Sequence, residues 1–381
     1  MRATNLCNEF VERGYAADIL VTGDMSEKPF FTVNDKVNII SLNEYAKDAL
    51  RKKMNGTREK KIRRIKRIRY AIKCLPGFAK KLERRISFLR AGEKLRPYFL
   101  NTPYSVAIAF GAAYIKSVLS AVEGLDCKVI YAEKNAPELE CPKDGNGFEN
   151  RISLLKNSDA VIVQTQDSKN YYSEFLDNVV VINNPIKTGL PKPYSERRSK
   201  RIINFCRISE QKNLDLLLDA FELLHREYPE YVVEIYGNIV YDSEQVYKDR
   251  LLRRAGELGL SDSFRILPPA ADVHDRVLDA AMFVSSSDYE GLSNSMIEAM
   301  AIGLPCICTD CLGGGTREVM VDHENGLIVP MNDPHTLYLA MKEFIDNSDL
   351  AEKCSRNASK IREKLDVKKI AAQWLDVIEN N

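Results

Sequence analysis

The chain has 381 residues, 45% of them hydrophobic and 29% charged, with a net charge of +1. That length is more than one ordinary core holds, so two domains are expected, and the hydrophobic share is that of a globular protein. The near-zero balance hides an asymmetry: Arg51 to Arg90 carry 17 Lys/Arg against 2 Asp/Glu, a local +15 that leaves −14 for the remainder. No apolar run approaches the ~18 residues that span a bilayer. The best candidate, Val106 to Val122, is broken by Lys116. Nine cysteines at spacings that suggest no disulfide framework, with no secretory apolar segment opening the sequence, point to a reducing, cytoplasmic compartment.

The chain begins in a helical pattern, Asn5-Leu-Cys-Asn-Glu-Phe-Val-Glu-Arg-Gly-Tyr15. Near-continuous apolar strands follow at Ala17–Thr22, Ser105–Phe110, Lys128–Ala132, Ala160–Thr165 and Val179–Ile182, with helical stretches between them. Strands that are apolar on both faces and alternate with helices belong to parallel sheets covered on both sides. Asn183-Asn-Pro-Ile186 ends this series, and the polar stretch Lys187–Lys200, with two prolines and one glycine, reads as a domain linker. A second series follows at Arg201–Phe205, Tyr231–Tyr236, Phe264–Leu267, Met282–Val284, Cys306–Cys308 and Gly326–Pro330, and a helix over about Val367–Glu379 closes the chain. The expected domains are therefore 1–186 and 187–365, with 366–381 packing back on the first. Ligands of such sheets bind beyond the carboxyl ends of the strands, so a cleft between two facing domains is expected.

Four stretches of the second half bear on chemistry. Cys206-Arg-Ile-Ser-Glu-Gln-Lys-Asn-Leu-Asp215 places Arg207 and Lys212 where a strand hands over to a helix, which suits a diphosphate. Two solvated charges are the plainer alternative. Glu290-Gly-Leu-Ser-Asn-Ser-Met-Ile-Glu298 leaves a strand, exposes a carboxylate and places a second in the next helix. The backbone amides of Gly291, Leu292, Ser293 and Asn294 are expected to face the cleft. Ser295-Met-Ile-Glu298 also reads as a capping box, in which Glu298 bonds only its own helix start. Gly313-Gly-Gly-Thr-Arg-Glu318 permits a close backbone approach or a tight turn. Phe264-Arg-Ile-Leu-Pro-Pro269 ends a strand in two prolines, and the backbone at Leu267 is a candidate edge for a flat base. Cys306, Cys308 and Cys311, with His323 as the nearest further ligand, do not make a conventional metal set. Small buried thiols in a strand account for them.

In this order the motifs resemble the retaining, nucleotide-sugar-dependent glycosyltransferases of family 4, among the group 1 glycosyl transferases, whose fold is GT-B, an α/β architecture of two Rossmann-like domains facing a cleft. The residues that carry the resemblance are Arg207, Gln211-Lys212, Glu290 and Glu298, Ala299-Met-Ala-Ile-Gly-Leu-Pro305, Gly314-Gly-Thr-Arg-Glu318 and Asn325-Gly-Leu-Ile-Val-Pro330. The match is strong over about Arg201–Asn347. In the first half it rests on the opening helix and the Asn184-Pro-Ile186 hinge. The resemblance implies that Glu298 holds the donor's ribose, that Glu290 contacts the transferred sugar, and that Arg207 and Lys212 neutralise the leaving diphosphate. It implies a UDP-sugar as the foremost donor, no resident cofactor or metal, and a glycan or lipid-linked glycan as acceptor. Cys206 departs from the family's glycine at that place. Family members also begin with a strand and a glycine-rich loop ahead of the first helix. The expectation is therefore a native start about 15–20 residues upstream of Met1, with a first strand not represented in 1–186.

In the basic segment, Ile62, Ile65, Ile68 and Ile72 fall near one helical face with cations over most of the rest. Such a helix suits an anionic membrane or a lipid-linked diphosphate, and a solvated face packed on its own domain is the alternative. Aromatics are sparse there, so no nucleic-acid partner is expected. The resulting expectation is a peripheral enzyme of cell-surface polysaccharide synthesis at the inner face of the membrane. The rival reading is a non-catalytic membrane- or nucleic-acid-binding protein on a degenerate GT-B fold. Reversing the charges at Arg63, Arg64, Lys66 and Arg67 is expected to release the protein from anionic liposomes in a co-sedimentation assay. Unchanged binding would leave only the solvated face.

Overall fold

The structure is a computed structural model that describes residues 2–21, 33–41, 95–145 and 147–380; the basic segment 51–90 lies outside them. After the helix Arg2–Glu12 come β1 (Asp18–Val21), β2 (Asn38–Ser41), β3 (Val106–Phe110), β4 (Lys128–Ala132), β5 (Ala160–Val163) and β6 (Val179–Val181). The second half holds β7 (Arg201–Arg207), β8 (Val232–Asn238), β9 (Phe264–Leu267), β10 (Met282–Ser285), β11 (Cys306–Thr309) and β12 (Leu327–Val329). Every strand pair is parallel. Buried runs such as Ala160–Val163 and Met282–Ser285, closed off on both faces, are what this architecture requires.

The second-half sheet has the order β12-β11-β10-β7-β8-β9. Its first strand, β7, is thus central, and the chain reverses direction across the sheet between β7 and β10. Crevices open at that switch point beyond the carboxyl ends. The first half forms a four-stranded sheet, β3-β4-β5-β6, and a two-stranded one, β1-β2, with no ladder between the two sheets among the described residues. β2 escaped the sequence reading: Asn38-Ile-Ile-Ser41 offers two apolar residues, and only its pairing with β1 makes it a strand.

Among the described residues three apolar clusters hold the layers together. Two lie within single halves. The third runs through both, joining Leu6, Ile130 and Ile162 to Phe205, Phe283 and Met296. The last helix, Val367–Asn380, packs against Arg2–Glu12, and its Trp374 ring lies 6.1 Å from that of Phe110 on β3. The linker 187–200 carries no regular element. Replacing Trp374 with Ala removes an indole that is 4% exposed. The expected cost is about 3–5 kcal/mol of stability, read as a lower urea midpoint at unchanged slope.

Candidate active site

The carboxyl ends of β4, β5 and β6 face those of β7, β10 and β11, and the candidate residues lie where they meet. Arg207 is the last residue of β7; a short 3-10 turn, Glu210–Lys212, then delivers Lys212. The Lys212 ammonium donates to Glu290 Oε1, which also accepts from Ser287 Oγ at 3.0 Å. Both partners are largely buried, with side chains 15% and 13% exposed. Burial alone would push the lysine pKa down; the Glu290 carboxylate overrides it and holds the ammonium above its ordinary range. The stability linked to the raised lysine pKa is therefore fully present below pH 10.5, the ordinary lysine value, and is lost as pH rises through the raised one. The first two stretches singled out in the sequence thus converge on one ion pair.

Arg207 is half exposed, and its Nε lies 3.1 Å from Glu244 Oε1. Glu244 Oε2 meanwhile caps the helix Asp242–Glu257 by accepting from the Val240 and Tyr241 amides. Sequence reasoning missed this partner because the two side chains are distant in the chain and Glu244 looks like an ordinary helix-start carboxylate. Cys206, at the family's glycine position, has a thiol that burial pushes up to about 12, so it stays protonated and uncharged beside the cations.

Glu298 does not take the capping-box role. The helix Asn294–Ala301 begins one residue before Ser295, its N-cap is Ser293, and the Ser293 hydroxyl accepts from Met296 N. Glu298 sits a turn further in, 7% exposed, with Oε2 2.7 Å from Nε2 of His274. Leu267 ends the edge strand β9, paired with Tyr236 and two strands from β7. No hydrogen bond described here joins it to the other candidates.

The loop Gly291–Asn294 faces the first domain, and that domain meets it. Leu292 N donates to Gln164 Oε1 at 2.8 Å, while Asn184 Nδ2 donates to Leu292 O at 2.8 Å and Asn294 Oδ1 at 3.3 Å. A Cβ on Gly291 would stand 2.7 Å from both Gln164 Oε1 and Lys134 O. The triple glycine also makes a close backbone approach, but to protein. Gly313 and Gly314, with φ +88° and +70°, press against the Glu290 carbonyl, Ala136 and Asp167. Gly313 N donates to Glu138 Oε1 at 2.7 Å and its carbonyl accepts from Thr165 Oγ1 at 2.7 Å. Glu318 turns to the hinge, where it accepts from Gln166 N and Asn183 Nδ2. Behind these loops the Glu133 carboxylate, buried, gathers Arg151 and the hydroxyls of Tyr131 and Tyr172. Cys306, Cys308 and Cys311 are buried with raised pKa values, desolvation being the main cause, which is the behaviour of core thiols.

A double-mutant cycle on the buried pair tests its strength. Lys212→Met and Glu290→Gln are each expected to cost about 3 kcal/mol, and the double variant much less than the sum. Additive losses in denaturant titrations would mean that the two groups do not interact.

Residues 190–361 match the family model described as Glycosyl transferases group 1. Over 380 residues, 98% of this chain and 94% of the relative, the sequence is 24% identical to an uncharacterized glycosyltransferase of Haemophilus influenzae. It is 29% identical over 179 residues to an N-acetylgalactosamine-N,N'-diacetylbacillosaminyl-diphospho-undecaprenol 4-alpha-N-acetylgalactosaminyltransferase of Campylobacter jejuni, covering 47% of this chain and about half, 46%, of that relative. The crystal structure of Anabaena Alr3699/HepE in complex with UDP superposes with a TM-score of 0.67 at 18% identity, covering 76% of this chain and 82% of that one. No helix among the described residues is long and apolar enough to cross a membrane. With two parallel-sheet domains whose carboxyl ends face each other, the chain has the GT-B fold, and its second domain carries the match to the group 1 glycosyl transferases.

Proposed function

We propose that this glycosyltransferase moves a hexosyl residue from a nucleotide diphosphate sugar to a glycan or lipid-linked glycan, with retention of anomeric configuration, in the synthesis of a cell-surface polysaccharide. The observation that carries the reading is the Lys212–Glu290 pair at the carboxyl ends of β7 and β10, with Arg207 beside it. An ammonium and a guanidinium at a strand–helix junction suit a diphosphate, and a carboxylate that accepts hydrogen bonds suits sugar hydroxyls. As the bond from the anomeric carbon to the phosphate oxygen breaks, Lys212 and Arg207 stabilise the charge gathering on the leaving diphosphate. The acceptor oxygen bonds to the same face of that carbon, and its proton passes to the departing phosphate. Glu290 orients the sugar, and Glu298 and the Gly291–Asn294 loop hold the nucleotide. UDP as the carrier is supported by the Anabaena neighbour, whose structure contains it. The lipid-linked acceptor is supported by the Campylobacter relative, whose name carries diphospho-undecaprenol. Work at the inner face of the membrane, with the basic segment as the contact, follows from that acceptor.

Two measurements test this. A panel of nucleotide sugars is screened by thermal shift, in which a true donor at 100 times its dissociation constant is expected to add about 2.7 kcal/mol. Glu290→Gln is then expected to cut turnover by about 100-fold while the free nucleoside diphosphate binds at least as tightly as before, Lys212 being released from its carboxylate. A variant that loses affinity for the nucleotide instead would remove Glu290 from the sugar.

A further inference from the structure

We propose that His274 is a positioning residue for the donor nucleotide: it holds the Glu298 carboxylate in the orientation that a ribose diol meets. The inference rests on the assignment of Glu298 to the ribose in the function proposed above. It addresses a problem that assignment leaves open. A glutamate has three side-chain torsions, and a carboxylate inside a helix has no backbone partner to fix it once Ser293 has taken the cap. A freely turning carboxylate would lose torsional freedom each time a nucleotide bound.

The structure supplies the missing constraint from outside the helix. His274 lies on the short helix Val273–Arg276, 5% exposed, and its Nε2 is 2.7 Å from Glu298 Oε2. A carboxylate is acceptor only, so Nε2 carries the proton and donates. That bond occupies Oε2 and leaves Oε1 for a ligand hydroxyl. The ring is fixed in turn: it meets Phe205 of β7 edge to face, centroids 5.3 Å apart at 76°, and Phe205 packs on Phe283 of β10 at 5.3 Å. Two central strands therefore set the imidazole, and the imidazole sets Glu298. The helix Val273–Arg276 follows β9, which carries the candidate base contact at Leu267. His274 therefore ties the loop beside the base to the carboxylate beneath the ribose, and base and ribose are read by one connected unit.

A purely structural histidine, present only to neutralise a buried carboxylate, makes a different prediction from a positioning one. Uridine, guanosine and adenosine diphosphates and their 2′-deoxy and 3′-deoxy counterparts are titrated against the wild-type protein by calorimetry. The bound ribonucleotide is expected to exceed its deoxy forms by about tenfold, the size of one hydrogen bond to a charged group. In His274→Phe, which keeps the aromatic contact and removes the donor, that preference is expected to shrink to within about twofold. The donor KM is expected to rise about tenfold while kcat at saturation changes little. His274→Gln, whose amide nitrogen superposes on Nε2, is expected to restore the preference. His274→Asn, which is too short to reach, is not, and it carries the comparison should the phenylalanine variant fail to fold. A phenylalanine or asparagine variant with undiminished preference overturns the positioning role while leaving Glu298 at the ribose. A wild-type protein that binds a nucleotide without distinguishing its deoxy forms removes Glu298 from the ribose, and His274 with it. A protein that binds none of the three diphosphates overturns the donor site itself.

Discussion

A side chain at Gly313 or Gly314 would hold the two domains apart, and one at Gly315 would push the glycine loop off the loop at Gly291. A Cβ on Gly315 would stand 1.7 Å from the Gly291 carbonyl, one on Gly313 2.0 Å from the Glu290 carbonyl, and one on Gly314 2.4 Å from an Asp167 oxygen. The first two neighbours are backbone, and the third is a carboxylate held by Arg317. The remaining arrangement depends on this approach. Because the glycine loop nests under Glu290–Leu292, that stretch leaves β10 along a fixed path, and Glu290 arrives beside Lys212. Because it also admits Ala136 and Asp167, the first domain comes near enough for Gln164 to reach Leu292 N.

The charges at the cleft follow a common pattern. Each proposed ligand-binding group is matched with a protein partner of complementary character: Lys212 with Glu290, Arg207 with Glu244, Glu298 with His274. Unpaired charges in such a place would carry a desolvation penalty of several kcal/mol each. Pairing lowers that penalty and also fixes side-chain direction. It has a consequence for binding: a diphosphate does not meet two bare cations but a guanidinium and an ammonium already engaged by carboxylates. Its own charge would then compete with Glu290 for Lys212, which gives the residue proposed for the sugar and the one proposed for the phosphate a shared equilibrium.

Much of this was legible in the sequence, and the limits have physical causes. The parallel α/β rhythm came through because buried strands need apolar residues on both faces, as Ala160–Val163 shows. Lys212 and Glu290 were each singled out, and their meeting follows from strands β7 and β10 being neighbours. Glu298 was ambiguous because a Ser-x-x-Glu pattern fits two frames. The helix start, two residues earlier than that pattern required, decided against the cap. The glycine run was read as a close approach or a tight turn, and a sequence cannot say which, nor whether an approaching backbone belongs to a ligand or to the same chain. His274, Gln164 and Glu138 left no local signal at all. Their partners are 24, 128 and 175 residues away, and each residue is of a type that surface loops also use.

The two domains are joined by a pair of crossings that run side by side. Ile186 N donates to Leu365 O at 2.9 Å, so the outgoing segment Asn184-Pro185-Ile186 and the returning segment before the last helix form one doubled hinge. Apolar contacts between the domains, from Leu6 and Ile162 through to Met296 and Met300, belong to a continuous core. The contacts of the glycine loop and the Gly291–Asn294 loop with the first domain are instead largely polar: Gln164 to Leu292, Thr165 and Glu138 to Gly313. Hydrogen bonds of this kind exchange for water at a net of about 1 kcal/mol each, whereas parting apolar surface costs about 25 cal/mol per Å² with nothing in return. The loop side is therefore the inexpensive one to open and the hinge side the expensive one. That asymmetry directs any opening toward the loops that carry Glu290 and Gly313, beside the site proposed for the donor.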